Sequence, residues 1–171
     1  MYFTRAYPKI NYDPTGSGYI LAEDIMTRII MRSGVSNMYS AFQKHEVKDG
    51  QSPESIAHAI YGKATYHWVI LMTNKMFDRF YDWPLSESEL MSYVNETYDN
   101  PYAVHHYEIS QKSGNNNIKV KVESSEPFAE SVTNIEHERT LNDNKKSIKL
   151  LRAEFLDTFI DEYKVLQKQP F

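Results

Sequence analysis

The clearest pattern of apolar and polar positions lies between residues 38 and 62. Residues 38–48 alternate weakly between the two kinds of side chain, which predicts a strand ending at the Asp49-Gly50 turn. Ser52 is then a good N-cap, Pro53 suits the first helical position, and Gly62 is a typical helix stop. The helix between these signals is expected to bury one apolar stripe, formed by Ile56, Ala59 and Ile60.

Two more helices follow this first one. Residues 66–73 carry an apolar stripe, and Asn74 is the expected end of that helix. The members of the stripe are Trp68, Val69, Leu71 and Met72. Ser86 and Glu89 form a capping box, which predicts a third helix over 87–98, closed by the sequence Asp-Asn-Pro at 99–101.

The chain before residue 37 divides into an extended part and a helical part. Pro8 and Pro14 disfavour a helix in residues 2–20, and the sequence DPTGSG within it is typical of a turn. Residues 21–32 show helical spacing, and Gly34 ends the pattern. The recurring apolar residues of this predicted helix are Leu21, Ile25, Ile29 and Ile30.

The last third of the chain predicts a hairpin and a terminal helix. Residues 103–110 and 118–123 bracket the loop QKSGNNN as the two arms of the hairpin. Residues 126–134 read as irregular, 137–146 as a loop or short helix, and 147–151 as a short strand. Apolar residues then recur at helical spacing, namely Phe155, Leu156, Phe159, Ile160, Tyr163 and Leu166.

Helices and strands alternating in this way predict an α+β fold in three parts. The parts are 1–36, an extended segment and helix; 37–100, a compact module with its following helix; and 101–171, the hairpin and helix region. A chain of 171 residues is long enough to bury a core of its own.

Composition narrows the functional classes. The chain has a net charge of −4 and no basic stripe, so we expect no nucleic-acid partner. It has no cysteine, which excludes disulfides, zinc–thiolate sites and thiol nucleophiles. The N-terminal segment lacks the apolar core of a signal peptide, and the apolar runs are too short to span a bilayer. We therefore expect a protein of the cytosol or of an assembled particle, with no membrane partner.

No motif for catalysis, a cofactor or a metal stands out. The six histidines lack the i, i+4 spacing of a zinc-binding helix. Strand alternation is expected to place the neighbours His105 and His106 on opposite faces, where they do not easily share a ligand. Neither a P-loop nor a Gly-x-Ser-x-Gly elbow occurs, and nothing selects one pair of carboxylates among 23 acidic residues. We predict no catalytic residue, no cofactor and no metal site.

Aromatic residues are the unusual component, with 13 Tyr, 8 Phe and 2 Trp. Tyrosine buries area while it keeps a polar tip, which suits both half-buried positions in a small domain and protein interfaces. The candidate interface residues are Tyr2, Phe3, Tyr7, Tyr66 and Trp68. We expect the first three to face a partner because no local secondary structure buries them, whereas Trp68 is better explained as core.

The segment HEVKDGQSPESIAHAIYGKATYHWVILMTN (45–74) resembles a LysM module. The resemblance implies a strand, two helices, the second of which ends in an Asn, and a second strand, in a βααβ unit of about 40 residues. Such modules often bind glycans of the cell wall. The second helix here is more apolar than a free module needs, so no glycan-binding residue is carried over.

Four longer stretches carry a second resemblance, namely YF…YPKI.Y (2–12), EDIMTRI (23–29), SPESIAHAIYG…YHWVILMTN (52–74) and WPLSESELMSYV (83–94). In this order and spacing they resemble the baseplate wedge protein 53 family of contractile-tailed, T-even-type bacteriophages, which contains a LysM-like domain. It implies a non-enzymatic virion protein, assembled in the host cytoplasm, that lies between neighbouring wedges and joins them into a ring around the hub. Its implied partners are other wedge and hub proteins.

Two alternatives remain open from the sequence. The chain is also compatible with a peptidoglycan-binding module that accompanies a cell-wall enzyme, and with a cell-wall hydrolase. Binding to purified peptidoglycan distinguishes the first alternative from a structural role, and a zymogram tests the second.

Overall fold

The computed structural model describes residues 8–24, 29–31, 40–110 and 118–167. Its strands are β1 (Lys9–Tyr12), β2 (Ile20–Glu23), β3 (Phe42–Glu46), β4 (Val104–Ser110), β5 (Lys119–Val122), β6 (Glu130–Thr133) and β7 (Ser147–Leu151). Its helices are α1 (Pro53–Tyr61), α2 (His67–Thr73), α3 (Arg79–Asp82), α4 (Glu87–Thr97), α5 (Asn134–Lys146) and α6 (Leu156–Gln167). This mixture of helices with small sheets confirms the α+β class.

The elements group into two compact units. The first contains Met1–Glu46, Gln51–Asp82 and Ile148–Phe171, and the second contains Val47–Gly50 and Trp83–Ser147. The three-part division at residues 36 and 100 stays a prediction. Within the described ranges, no helix combines the length and the apolar character needed to cross a membrane.

In the first unit, β1 and β2 form an antiparallel hairpin, paired from Lys9 opposite Glu23 to Tyr12 opposite Ile20. The Asp13 carboxylate accepts hydrogen bonds from the backbone N–H groups of Thr15 and Gly16, at 3.1 and 2.6 Å. Gly16 has φ +69°, a conformation that glycine adopts without strain. The DPTGSG sequence therefore forms the predicted turn.

The helix predicted over residues 21–32 is wrong at its start, because residues 21–23 belong to strand β2. Their apolar spacing satisfies a helix, but hydrogen bonding to β1 across the turn determines the conformation. Most of the remaining predicted helix lies outside the described residues.

The module itself contains β3, α1 and α2. Ser52 caps α1 by accepting the Ser55 N–H at 3.2 Å, and Gly62 ends it with φ +74°. A short 3-10 turn, Ala64–Tyr66, leads into α2, which ends at Asn74 as predicted. The predicted capping and stopping signals of both helices are confirmed.

The second strand of the module lies at a different position in the chain from the predicted one. The LysM resemblance implies a strand directly after α2, in a unit of about 40 residues, but the strand that pairs with β3 is β7. Arg152 N–H donates to the Ala41 carbonyl at 3.0 Å, next to the ends of the two strands. β7 supplies the buried apolar side chains of Ile148, Leu150 and Leu151, whereas residues 75–82, directly after Asn74, form no strand. Residues 147–151 form a strand, as predicted.

The core of the first unit is built from α2, α6, β3 and β7. Trp68 is 5% exposed, and its ring lies 4.7 Å from that of Tyr163 and 6.0 Å from that of Phe159, measured between centroids. The other buried members of this cluster are Phe42, Val69, Leu151, Leu156 and Ile160. The contacts between these tilted aromatic rings add to the free energy that the side chains gain by leaving water.

Tyr61 ties the end of α1 to strand β7. Its hydroxyl donates a hydrogen bond to the Leu151 carbonyl at 2.8 Å. Burial raises the pKa of Tyr61 to about 12, so the phenol keeps its proton, and with it the hydrogen bond, at all ordinary pH values.

In the second unit, β4 is the central strand of a three-stranded antiparallel sheet in the order β5-β4-β6. Leu90 and Val94 of α4 pack with Ile135 of α5. The buried Asn142 amide also holds the backbone of Leu85, accepting from its N–H at 2.8 Å and donating to its carbonyl at 2.9 Å.

Two predictions for the elements of the second unit are confirmed, and the one for residues 126–134 is wrong. Helix α4 begins with the Ser86–Glu89 capping box, and β4 and β5 are the predicted hairpin arms. Residues 126–134 are not irregular throughout, because Glu130–Thr133 pairs with β4 as strand β6. The long-range pairing stabilises a strand that shows little local pattern. Residues 137–146 belong to helix α5, which a second capping box, Thr133–Glu136, initiates.

The prediction that His105 and His106 face apart is also wrong. Their Nδ1 atoms lie 2.7 Å from each other. The pairing of β4 with β6 shifts register between Val104 and His106, as in a β-bulge. Because a bulge breaks the strict alternation of a strand, two neighbouring side chains reach the same place.

Candidate protein interface

An aromatic loop, residues 75–82, is the most distinctive surface of the first unit. Phe80 is 82% exposed and Tyr81 is 74% exposed, and Phe77 also lies mostly in solvent. Single exposed apolar residues are ordinary, but three large aromatic rings within five positions form a patch of the kind that marks binding sites.

The backbone of the aromatic loop is held by two aspartates. The Asp82 carboxylate accepts from the N–H groups of Phe77 and Asp78, at 2.7 and 3.0 Å. The Asp78 carboxylate accepts from Phe80 N–H at 2.9 Å and, more weakly, from Tyr81 N–H at 3.4 Å. The rings are therefore presented on a backbone that is ordered before any partner binds, which lowers the entropy cost of binding.

An ion pair also anchors the aromatic loop to helix α1. Arg79 Nη1 lies 2.5 Å from Glu54 Oε1, and both side chains are partly exposed. An exposed pair of this kind contributes little free energy. It joins the short helix α3, which carries Phe80 and Tyr81, to helix α1.

The β1–β2 hairpin is the second exposed apolar surface of this unit. Tyr19, before β2, is 77% exposed. The other exposed apolar side chains of the hairpin are Ile10, Tyr12, Ile20 and Leu21. Since two-stranded ribbons are marginally stable alone, this hairpin suits docking on another surface.

The candidate interface residues of the sequence fall into three places. Tyr2, Phe3 and Tyr7 lie outside the described residues. Tyr66 is half-buried, with its ring 6.5 Å from that of Tyr61 in an edge-to-face arrangement. Trp68 is in the core, where it has little surface to offer a partner. The interface role of all five stays a prediction.

The aromatic loop was missed in the sequence. Its signal is FDRFYD (77–82), which combines three aromatics with two aspartates that are suited to accept backbone N–H groups. Because the segment shows neither helical nor strand periodicity, the sequence pattern predicts no element there.

Comparison with known proteins agrees with the second resemblance drawn from the sequence. The family model described as Base plate wedge protein 53 matches residues 36–125, which is 90 of the 171 residues. This range includes the module helices, the aromatic loop, α4 and strand β4.

A curated relative is the Baseplate wedge protein gp53 of Enterobacteria phage T4. It is 35% identical to the chain over 54 residues, a match that covers 32% of the chain and 28% of the relative. Since the family model covers more than half of the sequence, the chain belongs to the base plate wedge protein 53 family.

Proposed function

We propose that the chain is a structural, non-catalytic component of a phage tail baseplate wedge. In this role it binds neighbouring wedge and hub subunits and helps to join the wedges into a ring. The observation that carries the proposal is the aromatic loop, because its exposed rings lie on a backbone ordered by Asp78 and Asp82. This loop falls inside the range that matches the family.

The physical basis is that a few buried aromatic anchors dominate the binding energy of most protein interfaces. Phe80 and Tyr81 each have most of their surface available for a partner to bury. The hairpin offers a separate apolar surface, and a subunit that joins several neighbours needs more than one. Tyr2, Phe3 and Tyr7 precede this hairpin in the chain and are proposed to extend its contact.

We also propose that the module is LysM-like, used here to hold proteins. The support is the paired strands β3 and β7 and the two helices α1 and α2, with Asn74 ending the second. The chain between Asn74 and β7 is then a long insertion into the module, since the LysM resemblance implies a strand directly after the second helix.

A complementation assay tests the proposed function. Extracts of phage-infected cells that lack this protein are supplied with purified chain, and completed baseplates are counted by electron microscopy. The wild-type chain is expected to restore assembly, and the double variant Phe80→Ala, Tyr81→Ala to restore much less. Tyr102→Ala, which removes a ring that is 69% exposed and lies outside the loop, is the matched control and is expected to behave as wild type.

The opposite results identify the alternatives. Full assembly with the double variant overturns the role of the aromatic loop. If baseplates assemble without the chain, and the chain binds purified peptidoglycan saturably, the cell-wall-binding function is favoured instead.

A further inference from the structure

Three histidines from two elements of the second unit meet at one point. His105 and His106 come from strand β4, and His137 comes from the first turns of helix α5. One nitrogen from each side chain lies within 4.8 Å of the other two. The bulge in β4 brings the first two together, and the Thr133–Glu136 capping box fixes where α5, and therefore His137, begins.

We propose that His105, His106 and His137 form a binding site for one first-row transition-metal ion, zinc above all. Neutral imidazole nitrogens suit zinc, copper and nickel, and three of them form a recognised zinc ligand set that leaves a fourth position for water. The proposal rests on this cluster alone and does not depend on the proposed function.

Glu108 provides an independent indication that His106 is a ligand. The Nε2 of His106 lies 2.9 Å from Glu108 Oε1, while its Nδ1 faces the cluster. A carboxylate on the remote nitrogen of a histidine holds the proton there, so the lone pair lies on the other nitrogen, as is usual at zinc sites. In His106 that nitrogen is Nδ1, which accepts from His105 Nδ1 in this structure and would exchange this hydrogen bond for the metal. The His106 side chain is only 8% exposed, so its orientation is set by packing.

The carboxylate that orients His106 is itself held. Glu108 Oε2 lies 3.4 Å from Lys119 Nζ on the neighbouring strand β5. Tyr98 packs edge-to-face on His105 with 6.4 Å between ring centroids, and its hydroxyl donates to Glu138 at 2.8 Å. These neighbouring side chains thus limit the rotation of the His105 and His106 rings.

The distances match a site that closes around its ion by small movements. Zinc binds imidazole nitrogen at about 2.0–2.1 Å, which in a tetrahedron places two ligand nitrogens ~3.3 Å apart. The 2.7 Å pair of Nδ1 atoms must move apart by about 0.6 Å, and separations of up to 4.8 Å must shorten by at most about 1.5 Å.

One ring must tilt for all three nitrogens to bind. The rings of His105 and His137 are stacked, with centroids 3.9 Å apart and planes at 11°. A metal ion lies near the plane of each imidazole that binds it, so two parallel stacked rings cannot both ligate it well. Zinc is therefore expected to open this stack, and the change is visible in the NMR signals of both side chains.

Isothermal titration of the purified full chain with zinc, with cobalt as a spectroscopic probe, tests the site. We expect one ion per chain, a melting temperature that rises with zinc concentration, and the intense visible absorption of four-coordinate cobalt. His137→Ala is expected to abolish all three effects. His58→Ala, which removes an exposed histidine of α1, is the matched control and is expected to retain them.

A second variant keeps the test independent of folding defects. Glu108→Gln is expected to weaken zinc binding by about 10–100-fold, and its circular dichroism with chelator present is expected to match that of wild type. Absence of zinc binding to the wild-type chain, or equal binding by wild type and a folded His137→Ala variant, overturns the proposal.

Discussion

Asn74 and Lys149 are joined by two hydrogen bonds, one in each direction. The Asn74 amide donates to the Lys149 carbonyl and accepts from the Lys149 N–H, both at 2.8 Å. The same amide nitrogen donates to the Ile70 carbonyl at 2.8 Å. A single side chain therefore ends helix α2 and attaches it to a strand 75 residues later in the chain.

Replacing Asn74 with Ala is expected to lower the free energy of unfolding by about 1–3 kcal/mol, because backbone groups of both β7 and α2 lose partners. The Lys149 amide is expected to exchange its hydrogen faster. Urea denaturation and hydrogen exchange measure the two effects. Asn95→Ala, at an exposed position of α4, controls for the loss of an amide side chain, and equal stability of the two variants contradicts the role of Asn74.

Trp68 provides a direct test of core against interface. Trp68→Ala is expected to destabilise the chain by about 3–5 kcal/mol, because it leaves a cavity beside Phe159 and Tyr163. Thermal or chemical denaturation measures the change. A loss near zero places the indole outside the core and returns it to the interface candidates.

The Ser86–Glu89 capping box makes stability depend on pH. Hydrogen bonds from the Ser86 hydroxyl and N–H, at 2.6 and 2.9 Å, hold the pKa of the Glu89 carboxyl below its ordinary value. The pKa of Glu89 is lower in the folded chain than in the unfolded chain. The ionised carboxylate therefore stabilises the fold fully at pH values above the ordinary pKa of a glutamate. That contribution is lost as the pH falls through the folded-state pKa.

Ser86→Ala is therefore expected to raise the pKa of Glu89 and to cost about 1 kcal/mol at neutral pH, with a smaller difference from wild type in acid. Carboxyl NMR titration and denaturation at two pH values measure these effects. Ser92→Ala removes a hydroxyl from the same helix outside the box and serves as control. An unchanged Glu89 titration in Ser86→Ala argues against the capping box.

Local signals predicted much of the fold. Ser52, Pro53 and Gly62 specify helix α1 by capping and stopping alone, and Ser86 with Glu89 specify the start of α4. Features that depend on distant partners were predicted poorly. Strand β2 has the apolar spacing of a helix but pairs with β1 across a turn, and β3 pairs with β7, which lies far later in the chain.

The candidate sites also combine features with a local sequence signal and features that depend on the folded structure. The aromatic content indicated an interface, but the exposed rings of 77–81 became visible only with the aspartate bonds that order their backbone. Strict strand alternation predicts that His105 and His106 point to opposite faces. The register shift in β4, which brings their side chains together, has no local signal in the sequence.

The N-terminal aromatics carry a prediction of their own. Replacing Tyr2, Phe3 and Tyr7 together with Ala is expected to leave the melting temperature of the isolated chain nearly unchanged and to impair assembly. Calorimetry and the complementation assay provide the two readouts. A large loss of melting temperature instead assigns these residues to the core of the chain.

Photo-crosslinking from position 80 in assembled baseplates tests the central claim most directly. A photoreactive phenylalanine replaces Phe80, a matched variant carries it at Tyr102, and crosslinked products from purified particles are identified by mass spectrometry. We predict that position 80 crosslinks to another baseplate subunit, because its ring is an anchor of that interface, and that position 102 crosslinks far less. Baseplates that assemble normally but show no crosslink from position 80 contradict the account.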